Sequence, residues 1–412
     1  MKHTFVGFGF GPIQSGLFAK EAAESGRFDE IVVAEVDGTL VEALRRNNDS
    51  YVVNIAYADR VEAVTVRGVR LLNLSAPDDL RRLRAALASA TEIVTSLPSV
   101  AFYTRGGENS VASLIAEGLR ANPNGQTVVY TAENNNHAAE ILAAAVGPVC
   151  RPVQFLNTVI GKMSQVISNG CGRLRPIAAD YNRAFLVEAF NRILVSKITL
   201  PGFEPGITAF EEKPDLLPFE EAKLYGHNAI HAALGFIGKR LGAASLADLR
   251  GNAEVMATAR RAFVDEIGAA LVMKHAHLHD ALFTPDGFAA YADDLLERMT
   301  NPFLGDTVER AIRDPFRKLG ANDRIFGAMR QCLAHGIEPV ALASAARAAL
   351  DVLPQLPEWT GGGVSDVAAT LAHLWEQDDI PPSEAEQIAS LVCADGMAMR
   401  MFAQSRRDAG FF

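Results

Sequence analysis

Lys223, Asn228 and His231 stand together in the segment Glu221-Ala222-Lys223-Leu224-Tyr225-Gly226-His227-Asn228-Ala229-Ile230-His231. At about 100° per residue, Asn228 lies roughly 140° and His231 roughly 80° from Lys223, so an α-helix would present all three on one broad face. Removing a hydride from an alcohol needs a base for the hydroxyl proton and donors for the oxygen that becomes a carbonyl. A lysine whose pKa is lowered by burial can be the base, and an amide and an imidazole can be the donors. Taken singly, each residue also has a bland reading: a solvated lysine, a helix asparagine and a core histidine.

Such chemistry requires a hydride acceptor, and the N-terminal segment has the residues to hold one. Gly9 and Gly11, followed by Pro12 and Ile13, fall between an expected strand (Thr4–Gly9) and an expected helix (Ile13–Ser25). Glycines there allow a tight turn and close backbone approach to a pyrophosphate at the helix N-terminus. The third glycine of a dinucleotide fingerprint is expected at position 14, where the chain has Gln14, with Gly16 two residues later. Glu35 ends the next apolar run, Ile31–Val36. A carboxylate there accepts ribose hydroxyls and repels a 2′-phosphate, so the expected cofactor is NAD rather than NADP. Thr95, at the end of another expected strand, is a candidate for the nicotinamide pocket or a plain turn residue.

The rhythm of the chain supports this division. Short β-branched runs alternate with amphipathic stretches through the first half, which predicts a parallel sheet covered by helices. Val61–Leu74, broken at Arg67-Gly68, reads as a hairpin insertion. Phe185–Phe190 and Ile193–Leu200 read as extended, prolines punctuate a hinge near Glu211–Pro218, and helical periodicity dominates from Phe219 onward. Gly361-Gly362-Gly363 and Pro381-Pro382 mark loops between late helices. The expected fold is α/β: a Rossmann-type dinucleotide-binding domain over residues 1–213, then a mostly α-helical domain over 214–412.

Composition narrows the classes further. The 412 residues carry 39 Lys+Arg against 49 Asp+Glu, a net charge of −10, with 49% hydrophobic residues. The chain is too apolar for intrinsic disorder and too acidic for a dedicated nucleic-acid binder. Glycines break the N-terminal apolar run too early for a signal peptide, and no run is long enough to span a membrane. A cytoplasmic protein with a small-molecule substrate, no nucleic acid and no membrane is expected. Four scattered cysteines, Cys150, Cys171, Cys332 and Cys393, form no CxxC pair and read as buried thiols of a reducing compartment. Against the acidic background, Arg310, Arg313, Arg317, Lys318 and Arg324 form a basic cluster suited to phosphate or carboxylate.

Lys223, Asn228 and His231, followed by Ala232, Phe236-Ile237-Gly238, together resemble the signature of the polyol-specific long-chain dehydrogenases, the mannitol dehydrogenase family. Ala132-Glu133-Asn134 is similar to their interdomain segment, and Asn301-Pro302-Phe303-Leu304-Gly305-Asp306-Thr307-Val308-Glu309-Arg310 to their second C-terminal motif. Arg313 to Leu319, running on to Asp323-Arg324, looks closest to the mannitol-1-phosphate 5-dehydrogenase branch. The resemblance implies Lys223 as general base, with Asn228 and His231 stabilising the substrate oxygen. It also implies a polar contact from Asn134, substrate or phosphate binding by Arg310 and Lys318, no metal, and a monomer. Arg324 extends the same basic set, and Asn157 is either a cofactor or substrate contact or a strand cap. One departure stands out: Gly161-Lys162 replaces the family's Asp-Arg pair, and that acid is expected near the catalytic lysine.

Three readings compete with a hexitol-phosphate dehydrogenase. They are a dehydrogenase of an unphosphorylated polyol or of an aldonate or uronate, a hydroxy-acid dehydrogenase, and a catalytically silent NAD-binding sensor, which Gly161 favours. His275 and His279 would share a helix face at i, i+4 and invite a zinc reading, but nothing nearby supplies the HExxH pattern and His277 points away, so a solvated helix end is preferred. His137 follows asparagines that read as helix caps, and His227 sits beside the catalytic set but about 100° round from Asn228, so it supports the set at best.

Overall fold

The computed structural model of the chain describes residues 3–168, 172–356, 359–361, 364–376 and 378–394. These residues form two compact units that divide between Leu217 and Pro218. In the first, strands β1 (Thr4–Phe8), β2 (Glu30–Glu35), β3 (Ser50–Ala56), β4 (Val61–Arg67), β5 (Val69–Asn73) and β6 (Glu92–Thr95) are followed by β7 (Thr127–Thr131), β8 (Val153–Ile160), β9 (Ser164–Ser168), β10 (Arg183–Glu188), β11 (Ile193–Ser196) and β12 (Phe210–Lys213). They build an eight-stranded sheet, ordered β12-β11-β8-β7-β6-β1-β2-β5, and a four-stranded sheet, β4-β3-β10-β9.

The six strands from β8 to β5 run parallel, as their near-continuous apolar sequences require when helices cover both faces. β1 lies between β2 and β6, so the strand order reverses beside it. The carboxyl ends of strands at such a reversal are where open α/β sheets leave a crevice for ligands. This is the Rossmann-type arrangement expected from the alternating pattern.

The hairpin reading of Val61–Leu74 is corrected. Gly68 does make the turn, with φ of +77°. β4, however, pairs antiparallel with β3, and β5 joins β2 in parallel in the other sheet. Partner choice here is non-local, and the sequence reading assigned no strand to Ser50–Ala56 at all. The linker reading is also corrected at its start, because Phe210–Lys213 is β12, paired in parallel with β11.

The smaller sheet packs on the helix that follows β1. Phe10, Leu17, Phe18, Tyr51, Phe185 and Val187 share one buried cluster. A Cβ at Gly16 would sit 2.5 Å from Val187 Cγ1, so this glycine serves helix-to-sheet packing and not the pyrophosphate.

The second unit is mostly helical. The helix Ala229–Leu241 is buried along nearly its whole length, as its alanines and glycines permit. Gly235 and Gly238 bring the helix Val308–Ile312 close: added Cβ atoms would stand 2.7 Å from Ala311 Cβ and 2.9 Å from Val308 Cγ2. Pro382 opens a helix rather than a loop, at the first turn where its missing N–H costs nothing. Gly361 lies outside regular structure, while Gly362 and Gly363 fall outside the described residues.

Among the described residues, no helix is long and apolar enough to cross a membrane. The cysteine reading holds only for Cys332: Cys150 and Cys393 are exposed, and Cys171 lies outside the described residues.

Candidate active site

In the first unit the glycine loop leads from β1 into a continuous helix over 12–25. Gly9 adopts φ of +80°, and a Cβ there would meet Ser96 O at 2.7 Å, so only glycine fits. Gly11 faces open space, with nothing within 4 Å of its Cβ position. Pro12 and Ile13 begin the helix, where the first N–H groups have no intrahelical partner and can receive an anion.

The helix is π-wound over Gln14–Phe18: the Ala19 N–H reaches back to Gln14 O, bypassing Ser15 O, which accepts the Tyr51 hydroxyl at 2.8 Å. The missing third glycine is made good on the strand. Gln14 Nε2 lies 2.1 Å from the point where a Cβ at Gly7 would be, so Gly7 yields the volume that Gln14 fills.

Glu35 reaches this loop. Its Oε2 accepts the Phe10 N–H at 2.8 Å, and its Oε1 accepts those of Val36 and Asp37 at 2.7 and 2.9 Å. Three of about four acceptor positions of the carboxylate are thus filled by backbone. Asp37, the other acid here, caps the helix Gly38–Arg46 and accepts the Tyr181 hydroxyl. An open glycine loop, a helix start and an acid hydrogen-bonded to that loop fit a dinucleotide.

Two residues expected near a ligand are engaged within the protein. The Thr95 hydroxyl is buried and donates to Glu133 Oε2 at 2.8 Å. Glu133 also accepts the Leu97 N–H at 2.8 Å and the Tyr103 hydroxyl, so it ties the ends of β6 and β7 together. Burial is the largest influence on Glu133 and raises its pKa against these donors. The sequence reading quoted Glu133 only as part of a motif. Asn157 is a cap: its Oδ1 accepts the Ala139 N–H at 2.9 Å, and its Nδ2 donates to Glu140 at 2.9 Å. Its amide is therefore occupied within the first unit, whereas Asn134 is exposed.

At Gly161 a Cβ would meet only Phe190, at an ordinary 3.7 Å, so space does not enforce glycine. The neighbouring Lys162 is buried and donates to Phe190 O at 2.7 Å. His137 is exposed and is itself the N-cap of the helix Ala138–Val146, with no side-chain cap. Its backbone N–H donates to Asn135 Oδ1 at 2.8 Å, so Asn134, Asn135 and Asn136 precede the helix rather than occupying its N-cap as expected.

In the second unit the backbone over Ala222–Asn228 is a π-helix, with the Ala229 N–H donating to Leu224 O five residues back. The 100° reckoning therefore does not apply across this segment. Bonding from i to i+5 draws Asn228 towards the side of Lys223, five residues earlier. Glu221 anchors the segment: its carboxylate takes Lys274 at 2.9 Å and His275 at 2.7 Å. This also settles the zinc reading geometrically, because the helix Ala269–His275 ends at His275 and His279 is left-handed at φ +53°. The expected shared face does not form.

Lys223 is partly buried, and burial above all, then the Arg324 charge, pushes its ammonium down to about 8 against the pull of Glu220. His227 is buried, and burial, with cationic neighbours, holds its imidazole well below the usual range. His231 Nε2 lies 2.7 Å from Asp306 Oδ2, and Arg310 Nη1 lies 2.6 Å from Asp306 Oδ1. Asp306 is fully buried. Burial works to raise its pKa, but His231 and Arg310 outweigh it and hold the carboxyl down at about 2.

The basic cluster divides. Arg313 and Arg317 are exposed. Lys318 is buried with Nζ on Ala311 O at 2.8 Å, and burial, then Arg324 and Arg317, push its ammonium down to about 7. Arg324 is buried beside Asp323 at 2.7 Å. Arg324 is thus electrostatically coupled to both Lys223 and Lys318.

Comparison with known proteins agrees with the motif resemblance. Residues 215–351 match the mannitol dehydrogenase C-terminal domain. Mannitol-1-phosphate 5-dehydrogenase of Brevibacillus brevis is 28% identical over 353 residues, 84% of this chain and 85% of that protein. The enzyme of the same name from Pseudarthrobacter chlorophenolicus is 29% identical over 356 residues, 84% of each. The substrate-free structure of D-sorbitol dehydrogenase shares the fold, with TM-score 0.72 and 16% identity over 95% of this chain and 93% of that one. So does the Pseudomonas fluorescens mannitol 2-dehydrogenase ternary complex with NAD and D-mannitol, with TM-score 0.63 and 16% identity over 100% of this chain and 93% of that one.

Proposed function

We propose that this chain, whose residues 215–351 match the mannitol dehydrogenase C-terminal domain, is an NAD-dependent polyol dehydrogenase that interconverts a hexitol phosphate, such as mannitol 1-phosphate, and the ketose phosphate. The observation that carries the chemistry is Lys223: an amine brought down to about 8 is a competent base near neutral pH and a competent acid in the reverse direction. Both of these relatives are mannitol-1-phosphate 5-dehydrogenases by name, which supports the substrate class.

NAD, when bound, supplies the hydride acceptor at nicotinamide C4. The glycine loop at Gly9 and Gly11, with the helix start at Pro12 and Ile13, would receive the pyrophosphate. Glu35 would accept a ribose hydroxyl on its remaining lone pair or exchange a backbone N–H for it.

Lys223 takes the proton from the hydroxyl being oxidised. Asn228, whose side chain makes no hydrogen bond among the described residues, donates to the oxygen as it becomes a carbonyl. Arg310 binds substrate hydroxyls. Lys318 and Arg324, whose charged forms are disfavoured by burial above all and also by the nearby Arg317, are stabilised by a dianionic phosphate. Asn134 is a polar contact of the nucleotide half.

The test follows NADH absorbance with the full chain, NAD and a panel of mannitol 1-phosphate, mannitol, sorbitol and hexonates. Highest kcat/KM on the phosphorylated hexitol is expected. Turnover confined to unphosphorylated polyols overturns the phosphate assignment, and NAD binding without turnover on any of them overturns the enzyme reading.

A further inference from the structure

His231 and Asp306 are 75 residues apart in sequence, yet their side chains meet at 2.7 Å, and the same carboxylate holds Arg310 through its other oxygen. Asp306 has no exposed side-chain surface, while His231 keeps 18% and Arg310 33% of theirs. The carboxylate is therefore an interior pivot, and the two groups it holds emerge from it.

The pivot is itself fixed by backbone. The Leu246 N–H donates to Asp306 O, the Val308 N–H donates to Ala244 O, and Thr307 caps the helix Val308–Ile312 by accepting the Arg310 N–H. Asp306 has little freedom to turn away from either partner.

From this geometry we infer that Asp306 is a positioning residue that fixes the ring tautomer of His231, so that neutral His231 meets the substrate as a hydrogen-bond acceptor. An ionised carboxylate can only accept, so the neutral imidazole must place its proton on Nε2. Nδ1 is then left with a lone pair, and it makes no hydrogen bond among the described residues. Such a nitrogen cannot donate to an oxygen gaining negative charge. It accepts from a hydroxyl that keeps its proton, which in a polyol is a hydroxyl beside the reacting carbon.

This rests on the polyol reading for the identity of that hydroxyl, though not for the tautomer. It also changes the role that family resemblance suggests: the oxygen being oxidised is served by Lys223 and Asn228, and His231 reads stereochemistry next to it. Arg310, aimed by the same carboxylate, adds a donor at a fixed offset from this acceptor. A polyol presenting one hydroxyl as donor and another as acceptor at that offset is selected, and an epimer is penalised.

The test begins with the wild-type full chain without ligand, with nitrogen-15 in its histidines, in alkaline buffer. The His231 signals are identified by their loss in His231→Gln. Imidazole nitrogen shifts with the proton on Nε2 and not on Nδ1 are expected, and the reverse overturns the inference whether or not any polyol is turned over. Asp306→Asn then supplies the second arm. Its amide can donate to Nε2, so the proton should move to Nδ1 in a chain that still folds. In wild-type protein, a deoxy analogue lacking the neighbouring hydroxyl should lose about 10-fold or more in kcat/KM, and in Asp306→Asn this difference should shrink several-fold. An unchanged tautomer in Asp306→Asn overturns the positioning role. Equal losses for both substrates in both proteins overturn the acceptor role. A confirmed tautomer with no turnover of any polyol refutes the proposed function and leaves the positioning role standing.

Discussion

Gln14 and Gly7 occupy one volume between helix and strand: Gln14 Nε2 stands 2.1 Å from where a Cβ at Gly7 would be. The close helix–strand approach that a third fingerprint glycine usually permits is achieved from the opposite side. Gly7→Ala should therefore destabilise the chain by about 1–3 kcal/mol, since the displaced amide is fully buried. The double variant Gly7→Ala with Gln14→Ala should recover part of that loss, with a coupling of about 0.5–3 kcal/mol in urea unfolding. Additive effects would show that the two residues do not share the site. The Gln14 amide also lacks a hydrogen-bond partner among the described residues, so Gln14→Met should be neutral or stabilising.

Lys223 gives a kinetic prediction with a defined sign. Its folded-state pKa, about 8, lies below the usual 10.5 of a lysine, so the base form dominates above about pH 8. Below that, the active fraction falls tenfold per pH unit, and log(kcat/KM) for alcohol oxidation should rise with unit slope and level near pH 8. Ketose reduction, which needs the ammonium, should fall above the same point. Lys223→Ala should lower kcat by orders of magnitude with NAD affinity nearly unchanged, checked by NADH absorbance and cofactor titration. Retained turnover would remove Lys223 as the base.

Arg324 acts on two groups at once. Arg324→Met should raise KM for a phosphorylated hexitol by about 10- to 100-fold, the range of a charge-assisted contact of about 1.5–3 kcal/mol. The same change removes a cation that disfavours the Lys223 ammonium, so the rising limb of the oxidation profile should move to higher pH. A KM effect without that movement would mean that Arg324 is not electrostatically coupled to Lys223.

Lys318 predicts an opposite pH trend in binding. Its ammonium, at about 7, is lost as pH rises through that value, so affinity for a dianionic substrate should weaken above about pH 7. KM for the phosphorylated hexitol should climb there, while KM for unphosphorylated mannitol should not. Parallel KM profiles for the two substrates would contradict phosphate binding at Lys318.

Glu35 predicts cofactor preference. Glu35→Gln keeps an acceptor for the Phe10 N–H but removes the charge that would repel a 2′-phosphate. The ratio of kcat/KM for NAD over NADP should fall about tenfold or more, which corresponds to about 1.4 kcal/mol. An unchanged ratio would assign cofactor preference to another group.

Much of the first unit is legible because its strands are apolar on both faces and its helices amphipathic, and those patterns are local. Thr4–Phe8, Glu30–Glu35 and Thr127–Thr131 fall where the runs of Val, Ile and Thr lie. Ser50–Ala56 carries the same signal in Val52, Val53 and Ile55, though in a run that Asn54 interrupts. The partners of β4 and β5 were not legible, because the same Gly68 turn serves a hairpin or a crossing between two sheets. Thr95 and Asn157 show the equivalent limit for side chains: their types suit a ligand, but Glu133 and the Ala139 N–H claim them first.

By itself the sequence determined the residue types available for chemistry, the glycine that must take a positive φ, and the division into an α/β half and a helical half. These follow from covalent sterics and from periodicity, which act over a few residues. Only the tertiary structure decided that Lys223 and Asn228 stand on a π-wound turn, that Gly7 makes room for Gln14, and that Asp306 holds His231 and Arg310 together. Each depends on which distant surfaces pack against one another. Burial then sets the proton affinities of Lys223, Asp306 and Lys318, through a desolvation that a linear sequence does not contain.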